Sequence, residues 1–320
     1  MSRPEAIGVD LGGTKMLLGV LDGDSKTAWE SRERSAGESQ DELVELLLRE
    51  IGEARTERPG VEAIGMGVPA TIDRDNGLAL AAVNLPIEEL PLRDLVAERT
   101  GLPAFLDNDA NVAALAEHRF GAARGTENAV MLTIGTGIGG GLILGGEIYR
   151  GSTGAGAELG HMAIQMDGPG CQGSCPNRGC VEALASGTAL GREGLAAAEG
   201  KPESALGRLL AEGAAVDGKA VTVAAQQGDE AAIEVFDLVG GRLGVALASY
   251  ANIFEPEVIV IGGGVIAAGD LLLGPARREL EARALRPMNR TPVVEAELGE
   301  DAGMIGAAAM ARIELEKARG

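Results

Sequence analysis

The sequence predicts an α/β protein built of two lobes. Three observations carry this. The chain has 320 residues, and domains commonly run to roughly 100–200 residues. Short apolar runs suited to strands alternate with longer stretches of helical periodicity. A strand, a glycine turn and a second strand occur twice, at Asp10-Leu11-Gly12-Gly13-Thr14 and at Thr133-Ile134-Gly135-Thr136-Gly137. Two lobes with facing turns of this kind would form a cleft able to hold a polyphosphate.

The elements follow in order. Residues 6–11 and 15–21 read as strands around the first turn. A Leu/Val pattern at helical spacing covers 39–57, with Ser39 and Asp41 placed to cap it. Residues 61–68 form an apolar strand that Pro69 ends. A helix is expected near 91–100, a strand at 103–107 and a helix at 109–120, with Asp107, Asn108 and Asp109 at the junction. The pattern restarts with a strand at 129–134, a glycine-rich turn over 135–141, and a second strand from 138 to 144 that leads to a hairpin at Gly145-Gly146. Residues 151–182, rich in Gly, Cys and Pro, read as irregular. Ile233, Phe236, Gly240, Leu243, Leu247, Tyr250 and Phe254 make 229–254 the best helix. A strand at 258–261 runs into Gly262-Gly263-Gly264, and a helix near 303–318 comes last.

Hydrophobic residues make up 45% and charged residues 24%, an ordinary globular balance. Aromatics are only 2%, so the core must be Leu, Val, Ile and Ala. The 28 basic and 48 acidic side chains leave a net charge of −20. Such a surface repels nucleic acid and anionic lipid, and neither is an expected partner. No run reaches the ~20 apolar residues of a membrane span. The first residues lack the apolar core of a signal peptide. A cytoplasmic location is the expectation.

A tight turn of Gly and Thr presents consecutive backbone N–H groups with no side chain in an anion's way. Thr14 and Thr136 add hydroxyl donors. Asp10, just ahead of the first turn, can hold the Mg²⁺ of a nucleotide through water. Plain hairpin turns use the same residues. Neither turn is a Walker A loop, because no Gly-Lys-Ser/Thr follows. At the strand end, Asp107 or Asn108 can cap the next helix and Asp109 can favour its dipole. A carboxylate there can equally accept the proton of an attacking hydroxyl. His161, Cys171, Cys175 and Cys180 supply one nitrogen and three sulfurs, a common closed zinc set. Free thiols and a satisfied histidine are the alternative. His118, the other histidine, reads as a surface or packing residue.

Asp10-Leu11-Gly12-Gly13-Thr14, Gly135-Thr136-Gly137-Ile138-Gly139-Gly140-Gly141 and Gly262-Gly263-Gly264 resemble the phosphate and adenosine motifs of the ROK family. The resemblance spans residues 6 to 312. It implies an actin-like ATPase, ribonuclease-H-like fold of two lobes: 1–111 plus 303–320 as the smaller, 112–302 as the larger. It implies that Asp10, Gly12, Gly13, Thr14, Gly135, Thr136 and Gly137 serve the phosphates, and that Gly262, Gly263 and Gly264 lie beside the adenosine of ATP.

Asp107-Asn108-Asp109-Ala110-Asn111 is similar to the family's kinase motif, in which Asp109 would be the base and Asn108 a sugar contact. Glu158, His161 and Glu182 match its sugar-binding positions. Gly67 and Asn84 look like further sugar contacts, and either suits an ordinary turn. The cysteine segment resembles the family's structural zinc signature with one departure. Three residues, not one, separate Cys171 from Cys175. The longer spacer can still close a tetrahedron. The implied activity is transfer of phosphate from ATP, with Mg²⁺, to glucose. The alternatives are another hexose (N-acetylmannosamine, fructose, allose or mannose) or a sugar-responsive repressor. With the first phosphate turn starting at Asp10, no DNA-binding domain is expected ahead of it, and the net charge and Asp109 also oppose the repressor. A homodimer or homotetramer is the family expectation.

Overall fold

The computed structural model describes residues 4–35, 39–82 and 84–320. In chain order the elements begin with β1 (Glu5–Leu11), β2 (Met16–Leu21), β3 (Thr27–Glu33), α1 (Gln40–Glu57), β4 (Val61–Val68), β5 (Ala70–Asp73), β6 (Leu78–Ala82) and β7 (Glu88–Leu90). Next come α2 (Leu92–Thr100), β8 (Ala104–Asn108), α3 (Asp109–Phe120), β9 (Ala129–Ile134), β10 (Ile138–Leu144) and β11 (Glu147–Ile148). The short α4 (Val181–Ala185) leads into α5 (Gly187–Gly200), α6 (Ala205–Ala211), α7 (Gly218–Gln226) and α8 (Glu230–Phe254). The last are β12 (Val258–Gly262), α9 (Asp270–Arg283), β13 (Val293–Glu295) and α10 (Ala302–Arg319).

The chain divides into two compact units. One is Met1–Gly125, Gly141–Ala157 and Glu297–Gly320; the other is Thr126–Gly140 and Glu158–Ala296. The expected lobe boundaries at 111/112 and 302/303 fall inside α3 and at the first turn of α10. A helix is one run of i to i−4 hydrogen bonds, so it goes to one unit whole.

In the first unit the sheet runs β3-β2-β1-β4-β8. β1 is antiparallel to β2 and parallel to β4, which is parallel to β8. Helix α1 starts where the Ser39 hydroxyl accepts from Glu42 N, and its Leu43, Leu47 and Ile51 enter the core of this unit. Each such side chain contributes about 2 kcal/mol by leaving water. Helix α10 lies very close to β1 and β4. A Cβ on Gly8 or Gly65 would strike the backbone of Met304 or Ala307. Its Ala308 and Ala311 pack with Ala6 and Ala63. Small residues thus bring helix and sheet together where large apolar groups are scarce.

In the second unit β12 is parallel to both β9 and β13, and β10 continues the sheet beyond β9. β10 runs on into the first unit, where β11 pairs with its end. Asp229 caps α8 by accepting from Ala232 N at 3.0 Å. The helix buries Phe236, Leu243, Leu247 and Tyr250. No helix among the described residues is long and apolar enough to cross a membrane.

Candidate functional site

The first unit gathers its carboxylates through strand register. Parallel pairing sets Asp10 beside Gly67, and Gly67 beside Asp107. Asp107 is 2% exposed. Its Oδ1 accepts from Asn108 N at 2.8 Å and Asn111 Nδ2 at 2.9 Å, and its Oδ2 from Arg150 Nε at 2.5 Å. Asn108 takes the capping role: its Oδ1 accepts from Ala110 N at 2.9 Å and Asn111 N at 3.3 Å. Asp109 therefore opens α3, with Ala110 N donating to its Oδ1 at 2.9 Å. Gly67 packs 3.6 Å from the Asp109 Cα, measured from the position a side chain would take.

Burial, then the charge of Asp109, pushes the Asp10 carboxyl up to about 7, with Lys15 pulling the other way. The Asp10 carboxylate occupies the space a Cβ on Gly303 would need, at the first turn of α10. The Gly12–Thr14 turn is closed by Gly12 N donating to Lys15 O at 2.9 Å, and Ser35 Oγ donates to Gly12 O at 2.5 Å. Asn84 lies directly against Gly13.

In the second unit β10 starts at Ile138, as expected, so the turn between β9 and β10 is short. Gly135 N donates to Gly137 O at 2.9 Å. β12 ends at Gly262. Gly263 has φ +86°, and a Cβ there would collide with Ile134 at the end of β9. Only glycine suits that position. The third glycine run therefore lies beside the strand that feeds the second turn.

The segment 158–161 is braced from behind by α8, where Tyr250 Oη donates to Leu159 O at 2.6 Å. His161 Nδ1 lies 3.4 Å from Cys171 Sγ, and its Nε2 lies 3.9 Å from Glu158 Oε2. Cys175 Sγ and Cys180 Sγ are 4.0 Å apart. One donor atom from each of His161, Cys171, Cys175 and Cys180 lies within 4.8 Å of the rest. Zinc–sulfur bonds of about 2.3 Å in a tetrahedron put sulfurs roughly 3.8 Å apart, so this set fits zinc. The three-residue spacer does not remove Cys171 from the group. Burial first, then hydrogen bonding among the thiols, pushes the Cys171 thiol up. A cation is what would make such thiols ligands. Glu182 links this cluster to the turn: its Oε1 lies 3.5 Å from Cys171 Sγ, and its Oε2 accepts from Ile138 N at 2.8 Å.

The first unit thus brings together Asp10, Gly12, Gly13, Thr14, Gly67, Asn84, Asn108 and Asp109. The second brings together Gly135, Thr136, Gly137, Glu158, His161, the three cysteines, Glu182, Gly262, Gly263 and Gly264. Reading the sequence missed Arg150, which pairs with Asp107 from 43 residues away. It also missed Gly303 beside Asp10. Neither has a local signal. His118 is buried on α3, as a packing residue.

The ROK family profile matches residues 6–314. The chain belongs to the ROK family. A glucokinase of Thermotoga maritima is 40% identical over 315 residues, covering 97% of this chain and 98% of that protein. The crystal structure of a ROK family glucokinase from Streptomyces griseus in complex with glucose and AMPPNP is 36% identical. It superposes with a TM-score of 0.83 and covers 97% of this chain and 99% of that one. The ROK hexokinase of Thermus thermophilus is 37% identical, with a TM-score of 0.81 over 98% and 99% of the two chains. The α/β fold of this ROK protein is the actin-like ATPase fold of those kinases.

Proposed function

We propose that this ROK protein is a glucokinase that moves the γ-phosphoryl group of ATP to the 6-hydroxyl of glucose, with Asp109 as general base. The observation that carries the reading is the placement of Asp109. It stands at the start of α3, on a strand end locked by Asp107, with its charge felt by Asp10 beside the first glycine turn. The related glucokinases support the sugar and the nucleotide.

Asp109 accepts the hydroxyl proton as the sugar oxygen bonds to the γ-phosphorus. The bond from that phosphorus to the β-phosphate oxygen breaks, and ADP leaves. Positioning and charge neutralisation do most of the work in such transfers. Gly12, Gly13, Thr14, Gly135, Thr136 and Gly137 offer N–H and hydroxyl donors to the phosphates. Gly262, Gly263 and Gly264 flank the adenosine. Asp10 and Asp109 crowd negative charge at one place, which suits water-mediated binding of Mg²⁺; bound there, Mg²⁺ supplies neutralisation of the phosphate charge.

Asn84, Asn108, Glu158, His161 and Glu182, with Gly67, hold the sugar hydroxyls. The two ring nitrogens of His161 divide their work. Nδ1 faces the cysteines, and Nε2 is left for the sugar beside Glu158. Zinc held by His161, Cys171, Cys175 and Cys180 supplies order to a loop with little apolar content. A cytoplasmic homodimer or homotetramer is the expected working form.

The test is a turnover panel of glucose, mannose, fructose, allose and N-acetylmannosamine against ATP and polyphosphate. Glucose with ATP gives the highest kcat/KM. A higher value for another sugar overturns the substrate assignment, and no turnover of any hexose overturns the kinase reading.

A further inference from the structure

The carbonyl oxygens of the second glycine turn are all engaged. Gly137 O accepts from Gly135 N at 2.9 Å, and Gly135 O accepts from Gly187 N at 2.8 Å at the start of α5. Thr136 O accepts from two side chains, Gln172 Nε2 at 3.1 Å and Thr188 Oγ1 at 2.9 Å. Gln172 lies in the spacer between Cys171 and Cys175. Its amide also reaches Ser186 Oγ at 3.4 Å, the hydroxyl that caps α5 by accepting from Ala189 N. Its Oε1 lies 3.3 Å from the Thr188 hydroxyl. One side chain thus ties the cysteine loop, the cap of α5 and the glycine turn together.

The consequence follows from peptide geometry. In a trans peptide the C=O and the next residue's N–H point in opposite directions. Pinning Thr136 O toward α5 turns the Gly137 N–H away from α5. Pinning Gly135 O does the same for the Thr136 N–H. Two successive N–H groups then face one way, as an anion nest requires. With glycine on both sides of Thr136, an unpinned peptide here flips at little steric cost.

We propose that Gln172 and Thr188 are positioning residues for the nucleotide: they set the direction of the N–H groups that receive its phosphates. The proposal rests on the reading of Gly135–Gly137 as a phosphate turn. It gives the three-residue cysteine spacer a task at the nucleotide, separate from sugar recognition.

The test measures AMPPNP and glucose binding by calorimetry to the full chain, with KM for each substrate. Net values near 1 kcal/mol per hydrogen bond correspond to about a five-fold loss of AMPPNP affinity for Gln172→Ala or Thr188→Val alone. The double variant loses at least as much as either single variant, and not a simple product of the two, because Gln172 and Thr188 touch and share Thr136 O. Glucose affinity and KM for glucose stay within about two-fold of wild type, and Thr188→Ser, which keeps the hydroxyl, restores AMPPNP binding. Unchanged AMPPNP affinity in the double variant overturns the proposal, as does an equal loss of glucose affinity. Failure of the wild type itself to bind AMPPNP removes the underlying phosphate-turn reading as well.

Discussion

Replacing Arg150 by methionine tests how the base is held. Arg150 is the cationic partner of Asp107, with side-chain exposures of 15% and 2%. Removing one partner of a buried pair costs about 3–5 kcal/mol, because the remaining charge stays desolvated. Asp107 keeps two hydrogen bonds, from Asn108 N and Asn111 Nδ2. Those bonds, and the partial access of water at Arg150, place the loss at the low end, about 3 kcal/mol. In a unit of this size that lowers Tm by roughly 6–12 °C. The same hydrogen bonds fix the strand end on which Asp109 follows, so kcat falls by roughly ten- to a hundred-fold through misplacement. The assay is urea unfolding at constant m-value together with steady-state turnover. Asp107→Asn in the Arg150→Met background removes the stranded charge and recovers at least half of the stability. A loss below about 1 kcal/mol, or no recovery in the double variant, refutes the view of Asp107 and Arg150 as an obligatory buried pair.

Three further outcomes follow from the site. The protein binds one zinc ion per chain by metal analysis, and Cys175→Ser or chelation releases it with loss of glucose binding; purified protein that never takes up metal contradicts this. The folded Asp10 carboxyl titrates near 7 against an ordinary value of 3.8. Between those values the folded state holds the extra proton, so Asp10 makes stability fall as pH rises and level off above about 7, by up to about 4 kcal/mol in all. Urea midpoints at about pH 5 and about pH 8 show this slope in wild type and less of it in Asp10→Asn; equal slopes argue against it. Gly303→Ala puts a methyl group where the Asp10 carboxylate lies. It costs about 1–3 kcal/mol by overpacking and raises KM for ATP, and a neutral result means α10 can shift away.

The parts of the fold that were legible in the sequence are those whose signal is local. Asp10-Leu11-Gly12-Gly13-Thr14 between two apolar runs marks β1 and β2 to within a residue, and the periodicity of 229–254 matches α8 to within a residue. Ser39 is the cap of α1, as its place before the Leu/Val pattern suggested. The short α6 and α7 and the small sheet β5-β6-β7 carry too few turns or alternations to stand out. In the site, His161 and the cysteines declare themselves by chemistry and proximity in the chain. The row Asp10, Gly67, Asp107 depends on the strand order β1-β4-β8, which no local pattern encodes. The same holds for Arg150 on Asp107, Gly303 on Asp10 and Gln172 on Thr136. Each is a contact between distant segments that exists only once the sheets have formed.

The most direct measurement is a single-turnover rapid-quench experiment with glucose and labelled ATP on wild type and Asp109→Asn, beside glucose binding to both. The wild type yields glucose 6-phosphate and ADP in equal amounts. The variant binds glucose within about two-fold of wild type and transfers phosphate at least about a hundred-fold more slowly. Transfer by Asp109→Asn at close to the wild-type rate would contradict the account at its centre.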